Sequence, residues 1–372
     1  MLKMKLNTRL FLLIVCVSLG FCACSGHKET PVPVYVWQGI NHETNMDSLR
    51  LDYRFWKSQG VVGVCMESAD VEVVRQASAI AHEEGLEYHA WIPALPRRGC
   101  PHEWYAVNRL GQSADEFPAF VPSYQFLDPA NPEVQAYLVD LYSTIAAIPD
   151  VDYIQLDFIR YPDVILARGL WEKYGLDMTH EYAPADYCYC PSCVAAFKEQ
   201  MGIDILAVED PSTEPAWAQF RCDQITLLVH KIYDAVHAMG KKLSADVFPG
   251  PASHAEWMVR QQWNQWTVDM FFPMNYNDFY LEGADWLAEI VKEEVSAAGK
   301  VPVMSGLFIC PDWRNKDKVV DPEDSGLLPS EIEAAVRGSL KAGAAGICLF
   351  TPGRMSPEHW EALSSVLNHQ NY

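Results

Sequence analysis

The feature that most constrains the fold is a strict alternation. Short apolar runs, each followed by an amphipathic helical pattern, recur eight times along the chain. The runs are Val34 to Trp37, Gly60 to Met66, Glu87 to Trp91, Tyr153 to Leu156, Lys242 to Val247, Val268 to Met274, Val301 to Phe308 and Gly346 to Phe350. Mostly apolar runs of this length suit strands covered on both faces, as in a parallel sheet with crossover helices. Between them, apolar side chains keep steps of three and four, as in Val134, Leu138, Leu141 and Ile145, so one helix face is buried. Asn131-Pro132 supplies an N-cap and a proline at the first helical position. Ser330 with Glu333 has capping-box spacing. Eight strands and at least eight helices in this order predict an α/β fold, a (β/α)8 barrel.

The 372 residues, 49% of them hydrophobic, are enough for one such barrel without a second domain. The connections are unequal. Segments leaving strands three, four and seven are long: about residues 94–131, an insertion from Pro162 to about Tyr187, and a loop of about twenty residues after Phe308. Connections back into strands are brief, such as Gly60, Gly240-Lys241 and Gly299-Lys300. Strand-to-helix loops build the active face of a barrel, so functional groups are expected at strand C-termini and in those long loops.

The first residues read as targeting. Lys3, Lys5 and Arg9 precede an apolar run from Leu10 to Phe21 that is short for a bilayer span. The following Cys22-Ala23-Cys24-Ser25 resembles a bacterial lipoprotein signal, with Cys24, after the small Ala23, as the lipidated residue. An ordinary cleaved secretory signal is the alternative. The expected organisation is a signal peptide over 1–23, a tether over 24–33 and the barrel over 34–372, on a membrane surface of the bacterial cell envelope. A formal charge of −21 argues against a nucleic-acid backbone as partner.

Reading strand ends alone gives Trp37, Glu67, Trp91, Asp157, Asp246, Asn275, Tyr276, Asp278, Cys310 and Asp312. Carboxylates dominate and histidine is missing. Hydrolysis of a glycosidic bond needs two carboxyl groups, one protonated and one ionised. Sugars need aromatic faces, for which Trp37, Trp91, Trp104, Tyr276 and Trp313 are candidates. The pattern points to carbohydrate, with no cofactor called for.

Ordered motifs then carry a resemblance. They are Tyr88-His-Ala-Trp91, Glu103-Trp104 to Gly111, Leu127-Asp128-Pro129-Ala-Asn131-Pro132-Glu133, Val151-Asp152-Tyr-Ile-Gln-Leu-Asp157-Phe-Ile-Arg160-Tyr161-Pro162, Ser244-Ala-Asp246-Val-Phe248 and Val268-Asp269-Met-Phe-Phe-Pro273-Met-Asn275-Tyr276. The chain is similar to the glycosyl hydrolase-like family 10 barrel proteins from roughly Tyr35 to the last helix. The resemblance implies a glycoside hydrolase acting on a glycan strand, with Asp157 as the active-site carboxylate.

Asp157 is expected as nucleophile or ionised stabiliser. Arg160 either keeps it charged or ties the loop down. Asp246, one strand over, is the first choice for general acid, with Asp278 and Glu67 as rivals. Adjacent strands stand about 5 Å apart, near the roughly 5–5.5 Å between carboxyls of retaining enzymes. Arg160, Tyr161 and Asn275 join the aromatics as expected substrate contacts. Asp152 and Asp269, at strand starts, fall on the stability face. Cys188, Cys190 and Cys193 are close in sequence; a zinc site needs a fourth ligand, for which His180, Cys100 or Cys222 are candidates. Disulfides among the eight cysteines after Cys24 are the alternative, and either role is structural rather than catalytic. Two rival functions remain: an inert barrel that holds carbohydrate at the cell surface, and a metal-dependent hydrolase using the cysteines or His180.

Overall fold

A computed structural model of the chain describes residues 31–368. Cys24, the signal and most of the tether lie outside the described residues. The strands are β1 (Val34–Gly39), β2 (Val61–Glu67), β3 (Glu87–Pro93), β4 (Tyr153–Asp157), β5 (Lys242–Val247), β6 (Met270–Pro273), β7 (Met304–Phe308) and β8 (Gly346–Phe350). The helices are α1 (Met46–Ser58), α2 (Val71–Glu83), α3 (Pro132–Ala146), the short α4 (Trp171–Tyr174), α5 (Pro191–Met201), α6 (Pro215–Ala238), the short α7 (Glu256–Val259), α8 (Trp286–Ala298), α9 (Pro329–Lys341) and α10 (Pro357–Asn368). All strand pairs are parallel, and the order β6-β5-β4-β3-β2-β1-β8-β7 closes through bridges from Phe271 to Val303 and Met274 to Gly306. The expected (β/α)8 barrel is the observed one. No helix among the described residues is long and apolar enough to cross a membrane.

Alternate residues of each strand point into the barrel. Tyr35, Trp37, Cys65, Trp91, Tyr153, Met270, Phe272, Met304 and Cys348 form one interior cluster. Trp37 lies across this interior: a Cβ on Gly306 would come within 2.7 Å of its ring and 2.5 Å of the Pro273 carbonyl, so only glycine fits opposite it. The outer faces of the strands pack under the helices in the main core.

Asp152 and Asp269 serve stability, as their position at strand starts implies. Each accepts a backbone N–H of the neighbouring strand, from Tyr88 and Leu243 at 2.8 Å, and each meets a histidine at the end of a helix, His82 and His237.

Several boundaries differ from the sequence reading, for local reasons. β7 begins at Met304 rather than Val301, because Pro302 has no N–H for a ladder. α5 begins at Pro191, not Cys188, since the residue before a proline is held extended and Cys190 has ψ 143°. α8 begins at Trp286 rather than Leu281, after a tight turn over Asn277–Tyr280. α9 begins at Pro329, and Glu331, not Glu333, folds back on the Leu328 N–H at 2.8 Å. Glu333 instead pairs with Arg337 on the helix surface.

Candidate active site

β4 is buried along its whole length and delivers Asp157 to the C-terminal end of the barrel. The indole N–H of Trp91 donates to its Oδ2 at 3.0 Å, and the Phe158 N–H donates to its Oδ1 at 2.6 Å. Phe158 has φ 47°, a left-handed backbone uncommon outside glycine, so the chain turns sharply as soon as the carboxyl has been placed.

The register that pairs Leu156 with Ala245 sets Asp157 and Asp246 beside each other on neighbouring strands. Asp246 is 2% exposed and Asp157 5%. Asp246 accepts from Gln155 Nε2 at 2.8 Å through Oδ1, while its Oδ2 has no partner. Burial pushes Asp246 well above the ordinary carboxylate range, and the charge of Asp157 adds to this. Burial also raises Asp157, opposed by the Trp91 and Phe158 donors and then by Arg160. Glu67 at the end of β2 is raised by burial and then by Asp157, with Arg97 opposing. Three carboxyls thus meet around Asp157 with too few donors to hold all of them ionised.

A cavity of about 160 Å³ opens over Asp157. Tyr276, Phe279 and Tyr280 wall it from the β6 end, Phe120 and Tyr124 from the β3 loop, and Phe158, Leu170 and Tyr174 from the β4 loop; Phe248 lies after β5. Asp246 does not line this cavity; it sits behind it, and burial first, then the proximity of Asp246 and Asp157, raises the Tyr276 phenol. A larger groove of about 840 Å³ runs along the flank between α1 and α10 and holds none of the strand-end carboxyls.

The remaining expected contacts divide. Tyr276 and Arg160 face the cavity. Arg160 binds Asp163 at 2.8 Å and the Tyr161 carbonyl at 2.9 Å and stacks between Phe158 and Phe248, so its main work is to fix the loop. Trp91 is an Asp157 donor rather than an open sugar platform. Trp37, 1% exposed, belongs to the barrel interior.

Others lie elsewhere. Tyr161 is buried on the far side of its strand end, where burial first, then the neighbouring Cys188, Cys193 and Asp128, raises its hydroxyl. Asn275 turns outward and donates to Glu294 at 3.0 Å and Ser305 at 3.1 Å. Trp104 donates to Glu133 and packs on Tyr137 along α3, and Trp313 stacks with Arg314, neither of them on the cavity wall. Asp278 accepts the Gly326 N–H at 2.7 Å and lies 3.6 Å from Lys316, bracing the β7 loop instead of facing Asp157. Asn275, Trp104 and Asp278 each found a structural hydrogen-bond partner away from the mouth.

The cysteines come together with an unexpected partner. Asp128, Cys188, Cys190 and Cys193 are all buried, their ligand atoms within 4.8 Å of one another. Hydrogen bonds from Cys188 and Cys193 pull the Cys190 thiol low, while burial and Cys190 push Asp128 up to about 7. His180 instead contacts Thr179 at the surface, Cys100 lies by Tyr105, and Cys222 is buried in α6. Neither the cavity aromatics Phe120, Tyr124, Phe158, Phe248 and Phe279 nor Asp128 stood out in sequence. The signal for Asp128 was its own motif, Leu127-Asp128-Pro129, read only as a helix approach.

No match was found among curated protein sequences. Among solved structures, the chain is similar to the PgaB (BpsB) glycoside hydrolase domain from Bordetella bronchiseptica, with TM-score 0.60 and 14% identity over 91% of this chain and 99% of that one. It is similar to the catalytic domain of β-amylase from Paenibacillus polymyxa, with TM-score 0.58 and 10% identity over 90% and 97%. It is also similar to a chitinase from Chromobacterium violaceum, with TM-score 0.52 and 11% identity over 91% and 99%. Identities this low speak for the fold. The family 10 label rests on the sequence motifs alone. Residues 111–297, half of the chain and the half that carries Asp157 and Asp246, match the model of the family described as "Putative glycosyl hydrolase domain", and the chain belongs to that family.

Proposed function

We propose that the protein is a glycoside hydrolase that cleaves a glycan by paired-carboxylate chemistry centred on Asp157. The observation that carries this reading is a carboxylate on the floor of an aromatic-walled cavity, with a second carboxyl on the next strand that lacks a partner on one oxygen. Surroundings divide the roles. Asp157 accepts two N–H donors, which favour its ionised form, and faces the cavity. Asp246 has one amide donor within hydrogen-bond range, and burial with the Asp157 charge outweighs that donor and the nearby Trp37 indole, so it holds the proton. Ring faces such as Tyr276 and Phe248 offer the stacking surface a sugar needs.

A second reading of the acid is favoured by exposure. Glu67, at the end of β2, is less buried than Asp246, and burial and then the Asp157 charge raise it, although like Asp246 it stands outside the cavity lining. The purified protein is to be screened against peptidoglycan and plant and host glycans by reducing-end release. Asp157→Asn is expected to lower turnover roughly 10²–10⁴-fold, the range for loss of a positioned acid or base. Asp246→Asn and Glu67→Gln then separate the acids, because only the variant lacking the proton donor loses the alkaline limb of the pH–rate profile. Glycan binding with no hydrolysis in wild type would leave a carbohydrate-binding barrel instead, and chelator-sensitive turnover would favour the metal-dependent reading.

The proposal extends to place. The protein is held on the bacterial cell envelope by a lipid on Cys24, and Cys24→Ala is expected to release it from the membrane fraction.

A further inference from the structure

We propose that Asp128, Cys188, Cys190 and Cys193 form a closed, structural site for a zinc ion, which clamps two rim loops together. Three thiolates and one carboxylate oxygen form a tetrahedral donor set, and soft sulfur donors select zinc over magnesium or calcium. With Zn–S about 2.3 Å and Zn–O about 2.0–2.2 Å, tetrahedral donors stand roughly 3.6–3.8 Å apart. Cys193 Sγ lies 3.5 and 3.6 Å from the two Asp128 oxygens and 3.5 Å from Cys188 Sγ. Cys188 and Cys190 sulfurs stand 2.7 Å apart. That is longer than the ~2.03–2.05 Å of a disulfide, and the pair must open by about 1 Å to share an ion. Among the described residues all eight cysteines are free thiols.

The surroundings are those of a built site. All four ligands are buried, so no position is left open to substrate, which is the arrangement of structural rather than catalytic zinc. The Val107 N–H donates to Cys190 Sγ at 3.3 Å, and the Tyr189 N–H donates to the Val107 carbonyl at 2.7 Å, giving the thiolate an outer contact. A buried ion pair between Arg221 and Asp186 fixes the backbone beside the ligands, with Arg221 also donating to the Tyr187 carbonyl at 2.8 Å.

The position gives the ion its role. Asp128 ends the long β3 connection, whereas the cysteines lie in the β4 insertion at the start of α5. These are the two loops that contribute Phe120, Tyr124, Leu170 and Tyr174 to the cavity over Asp157. An ion shared between them ties the roof of the cavity to the scaffold without touching the reacting groups.

The test uses the purified full chain. Elemental analysis is expected to find one zinc per chain, and cobalt added to the stripped, reduced protein is expected to give tetrahedral visible bands with thiolate-to-cobalt charge transfer. Asp128→Ala should weaken cobalt binding by at least the roughly 10–100-fold that loss of an outer-shell partner causes, and Asp128→Cys should keep the tetrahedral spectrum. Stripping the metal should speed proteolysis within residues 94–131 and 158–214. Asp157→Asn should keep its zinc, which separates this site from the proposed reaction. Absence of cobalt uptake by the reduced protein, a disulfide among the three cysteines in the unreduced one, or unchanged affinity in Asp128→Ala would overturn the proposal.

Discussion

At the N-terminal end of the barrel Glu87 accepts from the Tyr35 hydroxyl at 2.9 Å and meets His89 Nε2 at 3.1 Å. The other His89 nitrogen meets Ser244 Oγ at 3.0 Å, and the ring stacks on Tyr153 with centroids 4.1 Å apart. At the C-terminal end Asp246 has one amide and a bare oxygen. Both carboxyls feel burial. For Glu87 burial pushes upward, but His89 and then Tyr35 outweigh it and hold the group below its ordinary value. For Asp246 burial wins, helped by the neighbouring Asp157 charge. The difference lies in the donors each end supplies rather than in dryness. A fold that can satisfy a buried acid at one end has left one unsatisfied at the other, beside the cavity, which is where violations of local rules are expected.

The largest effect should come from the unsatisfied end. Asp157→Asn removes a negative charge that Asp246 and Glu67 both feel. It is expected to abolish glycan turnover, roughly 10²–10⁴-fold, while leaving the thermal midpoint unchanged or higher, because burial disfavours the lost charge. A variant that lost stability and activity together would make Asp157 a structural residue and break the comparison.

Glu294 sharpens it, as an acid that burial has raised away from the cavity over Asp157. It accepts from Asn275 Nδ2 at 3.0 Å and the Gly250 N–H at 3.2 Å, and burial pushes it up to about 8. Its folded pKa stands above the ordinary 4.5. The folded state therefore holds the proton more tightly, and the stability this gives is complete below about 4.5 and lost as pH rises through about 8. The slope is about 1.4 kcal/mol per pH unit inside that window. Glu294→Gln, which cannot ionise, should remove that slope, so urea denaturation should show the variant gaining on wild type as pH rises. Parallel stability curves would mean that Glu294 is already ionised in the folded protein.

Next in size is the satisfied end. Glu87→Gln turns one acceptor oxygen into an N–H donor facing a hydroxyl and an imidazole that already served it. The expected cost is about 1–3 kcal/mol of folding stability, read by denaturant midpoint, with turnover unchanged. A loss of turnover without loss of stability would place chemistry at the wrong end of the barrel.

The fold was legible because it is written as periodicity, and periodicity survives without knowledge of contacts. The strand-end position of Asp157 was legible for the same reason: a strand that is apolar except for Gln155 and ends in a carboxylate announces its direction. Which face a strand-end residue takes was not legible. Asn275 and Tyr276 are adjacent, yet one turns outward to Glu294 and the other lines the cavity. Trp37 reads as a sugar platform until the glycine across from it, Gly306, shows that the ring fills the barrel. Asp128 was hidden because its partners lie at 188–193, across a separation that only tertiary structure closes.

The smallest effect tests the comparison one donor at a time. Tyr35→Phe takes away the hydroxyl that donates to Glu87 but keeps a ring that packs edge-on to Phe272 and His89 at 5.4 and 5.3 Å. With His89 still in place, the loss should be about 1–2 kcal/mol of stability, with no change in the pH–rate profile. Trp91→Phe makes the matching deletion at the other end, removing the indole N–H from Asp157. That donor favours the ionised form, so its loss should raise the Asp157 pKa and carry the acid limb of the profile to higher pH. One donor removed at each end should therefore register as stability at the first and as titration of the rate at the second. If Tyr35→Phe moves the profile or Trp91→Phe leaves it fixed, the two ends do not differ in the way their hydrogen bonds imply.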